Sequence, residues 1–121
     1  GLAPLIGMLR DLRAKGHTEP IRLIYGNRTE KQILYREELE ALQRELRLSV
    51  DLVLSEPPEG WRGKTGELSP DVVRSCLGDR PAPGAVYFIC GPTPMMNSVE
   101  RTLIGLGVPA GRIVSERFKY E

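Results

Sequence analysis

The sequence predicts an α/β fold, a parallel sheet with helices on both faces, and three observations carry that prediction. Segments of helical and strand-like period alternate along the whole chain, helix first and strand last. The strand-like runs are short and almost continuously apolar, as in Ile21-Arg22-Leu23-Ile24-Tyr25 and Val86-Tyr87-Phe88-Ile89, which suits strands buried on both faces. Loops rich in Gly, Pro, Asn and Ser separate the runs from the helical segments that follow. Such alternation implies right-handed crossovers and three layers.

Leu5, Ile6, Met8, Leu9 and Leu12 recur at helical spacing and predict a helix over 4–14, with Pro4 at its start and Gly16 just past its end. A polar connector, 17–20, leads to the strand over 21–25 and the loop Gly26-Asn27-Arg28-Thr29. A second helix is expected over 30–48, with Ile33, Leu34, Leu39, Leu42, Leu46 and Leu48 on its apolar face and Thr29 and Gln32 as a capping box. A strand over 50–55 follows, then a Pro- and Gly-rich loop over 56–66 that is too special for a plain connector. Ser69-Pro70-Asp71 opens a short helix to Leu77, and 78–84 is again turn-rich. The strand over 86–89 ends at Cys90; Gly91-Pro92-Thr93-Pro94 turns the chain into a helix over 95–106, with Thr93 as cap and Pro94 as first helical residue. The last strand is 112–116, followed by a tail, 117–121.

With 121 residues, the chain has the length of one domain, and 40% hydrophobic and 27% charged residues are proportions of a globular protein. A net charge of +1, from 17 basic and 16 acidic residues closely interleaved, gives no electrostatic case for nucleic acid or an anionic membrane. No apolar run approaches the ~18–20 residues that span a bilayer, and no signal peptide is visible. Cys76 and Cys90 fit no metal-ligand spacing and no disulfide framework, which favours a reducing setting: the cytoplasm, or the cytoplasmic face of a membrane.

Chemistry is expected at the Cys90 corner, because open parallel sheets bind ligands outside the carboxyl ends of their strands. Gly91 allows close approach to the backbone, and Pro92 and Pro94 stiffen the loop. A thiolate nucleophile in an amide cradle, as in phosphatases, is disfavoured. It needs an Arg six residues after the Cys, where Met96 stands, and the two prolines remove amides from the cradle.

The set Gly1-Leu2-Ala3-Pro4, Tyr25-Gly26-Asn27-Arg28, Ser55-Glu56, Cys90-Gly91-Pro92-x-Pro94-Met95 and Glu116-Arg117-Phe118 resembles the NAD(P)H-binding domain of the ferredoxin reductase-like flavoenzymes. That superfamily includes cytochrome b5 reductases, reductase components of aromatic-ring oxygenases and ferredoxin–NADP reductases. The likeness spans essentially the whole chain. It implies a three-layer Rossmann-like sheet of order 3-2-1-4-5, preceded by a flavin-binding barrel. By that pattern residues 1–121 form the C-terminal NAD(P)H-binding domain of a larger flavoprotein and begin after its first, central strand. Two half-sheets with unpaired edges, and a native chain that continues upstream, are therefore expected.

The resemblance further implies hydride transfer from NADH or NADPH to FAD held mainly by the other domain. An iron–sulfur, haem or other acceptor then takes the electrons. The start of the first helix, Gly1, Leu2, Ala3 and Pro4, would hold the pyrophosphate; Ala3 lacks the hydroxyl that the family often places there, so backbone amides serve. Cys90, with Gly91, Pro92 and Met95, would pack beside the nicotinamide. Glu116 and Phe118 would reach the flavin, with Tyr120 a rival to Phe118. Glu56 beside Ser55 favours NADH, because an acid accepts from ribose hydroxyls and repels a 2′-phosphate, although Arg28, Arg62 and Lys64 lie close in sequence pattern. Asn27 and Arg28 would reach ribose or phosphates, an ion pair of Arg28 with Glu30 or Glu56 being the alternative. Trp61 either covers the adenine or anchors its own loop. A non-catalytic dinucleotide-binding sensor would carry the same residues, since this domain needs no acid or base.

Overall fold

The computed structural model describes residues 2–66, 69–77 and 81–118. Its elements are α1 (Ala3–Ala14), β1 (Ile21–Asn27), α2 (Arg36–Glu45), β2 (Leu48–Leu54), β3 (Lys64–Thr65), α3 (Pro70–Leu77), β4 (Val86–Pro92), α4 (Thr93–Gly105) and β5 (Ile113–Phe118). Short 3-10 turns cover Glu30–Gln32 and Ala110–Arg112. All strands are parallel, in the order β3-β2-β1-β4-β5.

That order agrees with the expected 3-2-1-4-5, but the expected pair of half-sheets is not what forms. β1 pairs directly with β4, from Ile21↔Val86 to Tyr25↔Cys90, so β1 itself takes the central place. The direct pairing gives the backbone groups of both strands partners that an open seam would leave unmade.

Alternation along the strands builds two cores. Leu5, Ile6 and Leu9 of α1 and Leu39 and Leu42 of α2 pack over Ile21, Leu23, Tyr25, Phe88 and Cys90. On the other face Val73 and Leu77 of α3 and Met96, Val99 and Leu103 of α4 cover Ile24, Val53, Tyr87 and Ile89. β1 and β4 are thus buried on both faces, as their continuous apolar runs require.

Three expectations need correction. The helix expected over 30–48 is a 3-10 turn, a break and a shorter helix. Gln32 does act as a capping residue, its Oε1 accepting from the Arg28 and Thr29 amides at 3.1 and 3.0 Å. Ile33 then turns extended, the Leu34 amide donates to the Tyr25 hydroxyl at 3.0 Å, and Tyr35 adopts the left-handed φ of 60° before α2 begins. Leu34, expected on the apolar face, is exposed as a result. The loop over 56–66 contains the unexpected two-residue strand β3. Finally, β4 does not stop at Cys90 but runs through Pro92, which replaces Thr93 as the residue preceding α4, so Pro94 is its second residue.

Candidate functional site

The carboxyl end of the sheet opens between its two central strands. β1–β4 pairing ends at Tyr25↔Cys90, whereas β1 stays with β2 through Asn27↔Leu54 and β4 stays with β5 through Pro92↔Phe118. The strands diverge because their crossovers leave in opposite directions, the arrangement that creates a ligand crevice in open α/β sheets. Gly26 and Gly91 form its floor: a Cβ on Gly91 would lie 3.5 Å from the Gly26 carbonyl oxygen. Neither strand presents a side chain at that point.

Asn27 borders the opening and is 2% exposed, yet its Nδ2 has no hydrogen-bond partner. A buried donor without an acceptor is costly, and a ligand oxygen would relieve it. Two helix N-termini lie at this end. α4 follows β4 directly, and α1 runs back along the sheet to feed β1, so it too begins at the carboxyl ends. Neither has an acidic residue in its first turn or a side-chain cap, whereas α2 has Glu37 and Glu38 and α3 has Asp71. Their partial positive ends are therefore uncompensated, which suits a phosphate. At α1, Leu2 is buried and Ala3 and Pro4 are exposed; Gly1 lies outside the described residues.

Toward the sheet edge, backbone pairing continues past the strands. The Ser55 amide donates to the Asn27 carbonyl at 3.1 Å and the Glu56 amide to the Arg28 carbonyl at 2.8 Å. Arg28 Nε and Glu56 Oε2 are 3.4 Å apart, both side chains mostly exposed. Of the two partners expected for Arg28, Glu56 is the one it meets; Glu30 pairs instead with Arg36 at 3.0 Å.

Trp61 anchors its own loop. Its Nε1 donates to the Lys64 carbonyl at 3.0 Å, and the Arg36 guanidinium carbon stands 5.7 Å from the ring centroid. The indole also lies against Gly63, where a Cβ would come within 2.7 Å of it. The ring walls a cleft of about 770 Å³ on the outer edge of β2, with Glu30, Arg36, Asp51, Arg62 and Lys64 among its lining, well to the side of the central opening.

Cys90 is wholly buried in the α1–α2 core, one residue below Gly91, and burial pushes its thiol up to about 12. It is therefore a neutral thiol at physiological pH, as is Cys76, pushed up to about 11. Glu116 is half-buried and opposite Cys90 in register, so both sit on the same face of the sheet. Pro92 is half-buried, and the half-buried Met95 packs on the α3–α4 core. The backbone of Phe118 closes β5; its side chain and Tyr120 lie outside the described residues. The fold thus gathers Leu2, Ala3, Pro4, Asn27, Arg28, Ser55, Glu56, Gly91 and Pro92 at one end, with Cys90 beneath. Trp61 stands apart from them.

Gly26 was missed as part of the opening, and Arg36 as the partner of Trp61. The signal for Gly26 was its place at the end of an apolar run, where a glycine marks close backbone approach. Nothing in the sequence pairs Arg36 with Trp61.

The chain is similar to several known proteins. The pattern of the oxidoreductase NAD-binding domain matches residues 1–101. NADH-cytochrome b5 reductase 1 of Pyricularia oryzae is 35% identical over 120 residues, covering 96% of this chain and 38% of that protein. The protein of that name from Scheffersomyces stipitis is 34% identical over 119 residues, covering 96% and 42%. Among solved structures, the cytochrome b5 reductase domain of Ulva prolifera nitrate reductase superposes with a TM-score of 0.77 at 30% identity, covering 96% of this chain and 45% of that one. An Amycolatopsis cytochrome P450 reductase shares the fold at a TM-score of 0.73 and 23% identity, covering 98% and 34%. The chain spans about two-fifths of the length of these curated relatives.

Proposed function

The chain belongs to the oxidoreductase NAD-binding domain family, and on that premise we propose that it is the dinucleotide-binding part of a flavin-dependent NAD(P)H oxidoreductase that favours NADH. FAD is held mainly by a separate domain, and a haem or iron–sulfur acceptor takes the electrons onward. Bound there, NAD(P)H would supply a hydride and FAD would be its acceptor. The single observation that carries this reading is the opening between β1 and β4, floored by Gly26 and Gly91 and flanked by two uncompensated helix N-termini.

Each residue then has a physical task. The start of α1, Gly1 to Pro4, holds the pyrophosphate through the backbone amides of Gly1, Leu2 and Ala3, Pro4 carrying no N–H and serving to set the helix start. Asn27 donates its orphaned Nδ2 to a cofactor oxygen. Ser55 and Glu56 accept from the adenosine ribose. Gly91 and Pro92 form a flat, stiff platform for the nicotinamide, and Met95 packs behind it. Cys90 supports that platform from below as a neutral packing group, with Glu116 and Phe118 toward the flavin. Orientation by remote contacts, rather than acid–base chemistry, is what the domain contributes.

Steady-state oxidation of NADH against NADPH by the flavoprotein that carries this domain tests the reading, with Glu56→Arg alongside. Preference for NADH in the parent and a shift toward NADPH in the variant are expected. No flavin bleaching by either cofactor would leave the non-catalytic sensor, and an unmoved preference would remove Glu56 from the ribose.

A further inference from the structure

We propose that Arg28 is a latent 2′-phosphate-binding residue held in check by Glu56, so that the charge balance of this pair, and not Glu56 alone, sets the choice between NADH and NADPH. The inference rests on the dinucleotide reading above and adds a specificity-determining residue to it.

Both residues are fixed by backbone rather than by each other. The Glu56 amide donates to the Arg28 carbonyl at 2.8 Å, and the Arg28 amide donates to Gln32 Oε1 at 3.1 Å. Their Cα atoms are thus neighbours at the carboxyl end of the sheet whether or not the side chains pair. The side chains meet at 3.4 Å while 63% and 65% exposed, a geometry that contributes little to stability. Glu56 can therefore be changed without loosening the fold.

The electrostatic consequence falls on the ligand. With Glu56 ionised, the guanidinium is compensated, and a ribose phosphate arriving there meets a pair close to neutral with an acid at its side. With Glu56 neutralised, the same guanidinium is an uncompensated cation with planar donors suited to phosphate. Other nearby charges are committed elsewhere: Glu30 to Arg36, and Arg36 to the face of Trp61. Arg62 and Lys64 line the separate cleft on the outer edge of β2.

The test is equilibrium binding of 5′-AMP and 2′,5′-ADP to the intact flavoprotein by calorimetry, for the parent, Glu56→Gln, Arg28→Ala and the double variant. Glu56→Gln is expected to raise the affinity for 2′,5′-ADP relative to 5′-AMP about tenfold, 5′-AMP itself weakening as its ribose loses the carboxylate acceptor. Arg28→Ala is expected to weaken 2′,5′-ADP, and adding it to Glu56→Gln to abolish the gain. Arg28→Lys in the Glu56→Gln background should keep part of it. An unchanged ratio in Glu56→Gln, or a gain that survives Arg28→Ala, overturns the proposal and in the second case moves the cation to Arg62 or Lys64. If no variant and no parent binds 5′-AMP or NADH, the dinucleotide reading falls and takes this one with it.

Discussion

Cys90 shows how burial decides what a residue can do. A thiol pushed up to about 12 in the folded chain, against an ordinary ~8.5 unfolded, stays protonated in the native state while the unfolded chain ionises. The unfolded state then binds fewer protons, so this contribution to stability is whole below the unfolded value and is lost as pH rises toward the folded one. We predict that urea midpoints fall from about pH 9 upward, and that Cys90→Ala flattens the fall. Iodoacetamide should leave Cys90 unmodified at pH 8 until the chain is unfolded. In the flavoprotein, Cys90→Ala should slow NADH oxidation without abolishing it; complete loss in a folded variant would revive the nucleophile. Tyr25 is a second case. Its hydroxyl accepts from the Leu34 amide across a break in the chain, and Tyr25→Phe is expected to destabilise by about 1–2 kcal/mol, read from urea unfolding. The sequence marked Tyr25 as a buried strand residue at the head of the Tyr25-Gly26-Asn27-Arg28 motif but not its contact with Leu34, because the partner of a phenol nine positions away is a matter of tertiary placement.

At the scale of elements, the segment between β1 and α2 shows where pattern fails. Apolar positions from Ile33 to Leu48 match helical spacing, yet Tyr35 sits at φ 60° and interrupts it. Periodicity cannot register one left-handed residue, and Tyr is not a type that advertises one. Glycine tolerates that conformation without a Cβ penalty, so Tyr35→Gly is expected to be neutral or to stabilise by up to about 1 kcal/mol, and Tyr35→Val to destabilise, in thermal melts. β3 was equally invisible: two residues carry no period. The loop before it is set by Trp61, with Gly63 beneath the ring. Gly63→Ala should dislodge the indole, quenching or red-shifting Trp emission in a chain with a single Trp. Gly91→Ala is the contrasting case. Its Cβ would meet Gly26 at ordinary contact distance, so the fold should survive, with dinucleotide binding weakened because the floor of the crevice is no longer bare.

For the whole molecule, class and connectivity were legible because alternation of period along the chain admits few topologies. The crevice was legible as well, since Gly91 and the loop after β1 mark the carboxyl ends. What adjacency the central strands would adopt was not. Apolar runs say that a strand is buried on both faces, but not which neighbour it has, and β1 and β4 pair where a gap was expected. The pairing is fastened by both cores. Leu103, fully buried among α4's contacts with the sheet, should cost about 2–5 kcal/mol on Leu103→Ala, with the thermal midpoint lowered.

Asp51 gives the sheet a property of a different kind. It sits at the middle of β2, half-buried, with its carboxyl pushed up by desolvation against the pull of Arg22 and Lys64. β1 pairs with β2 along its inner side, but β3 pairs with its outer side only at Val53 and Leu54, so from Leu48 to Leu52 that outer side has no strand beside it among the described residues. A strand side with no strand beside it is a template for another chain, and a charge set into the middle of such a strand is a known deterrent. Asp51→Val is expected to raise the melting temperature and to hasten assembly into β-rich aggregates, read by thermal melts and by light scattering.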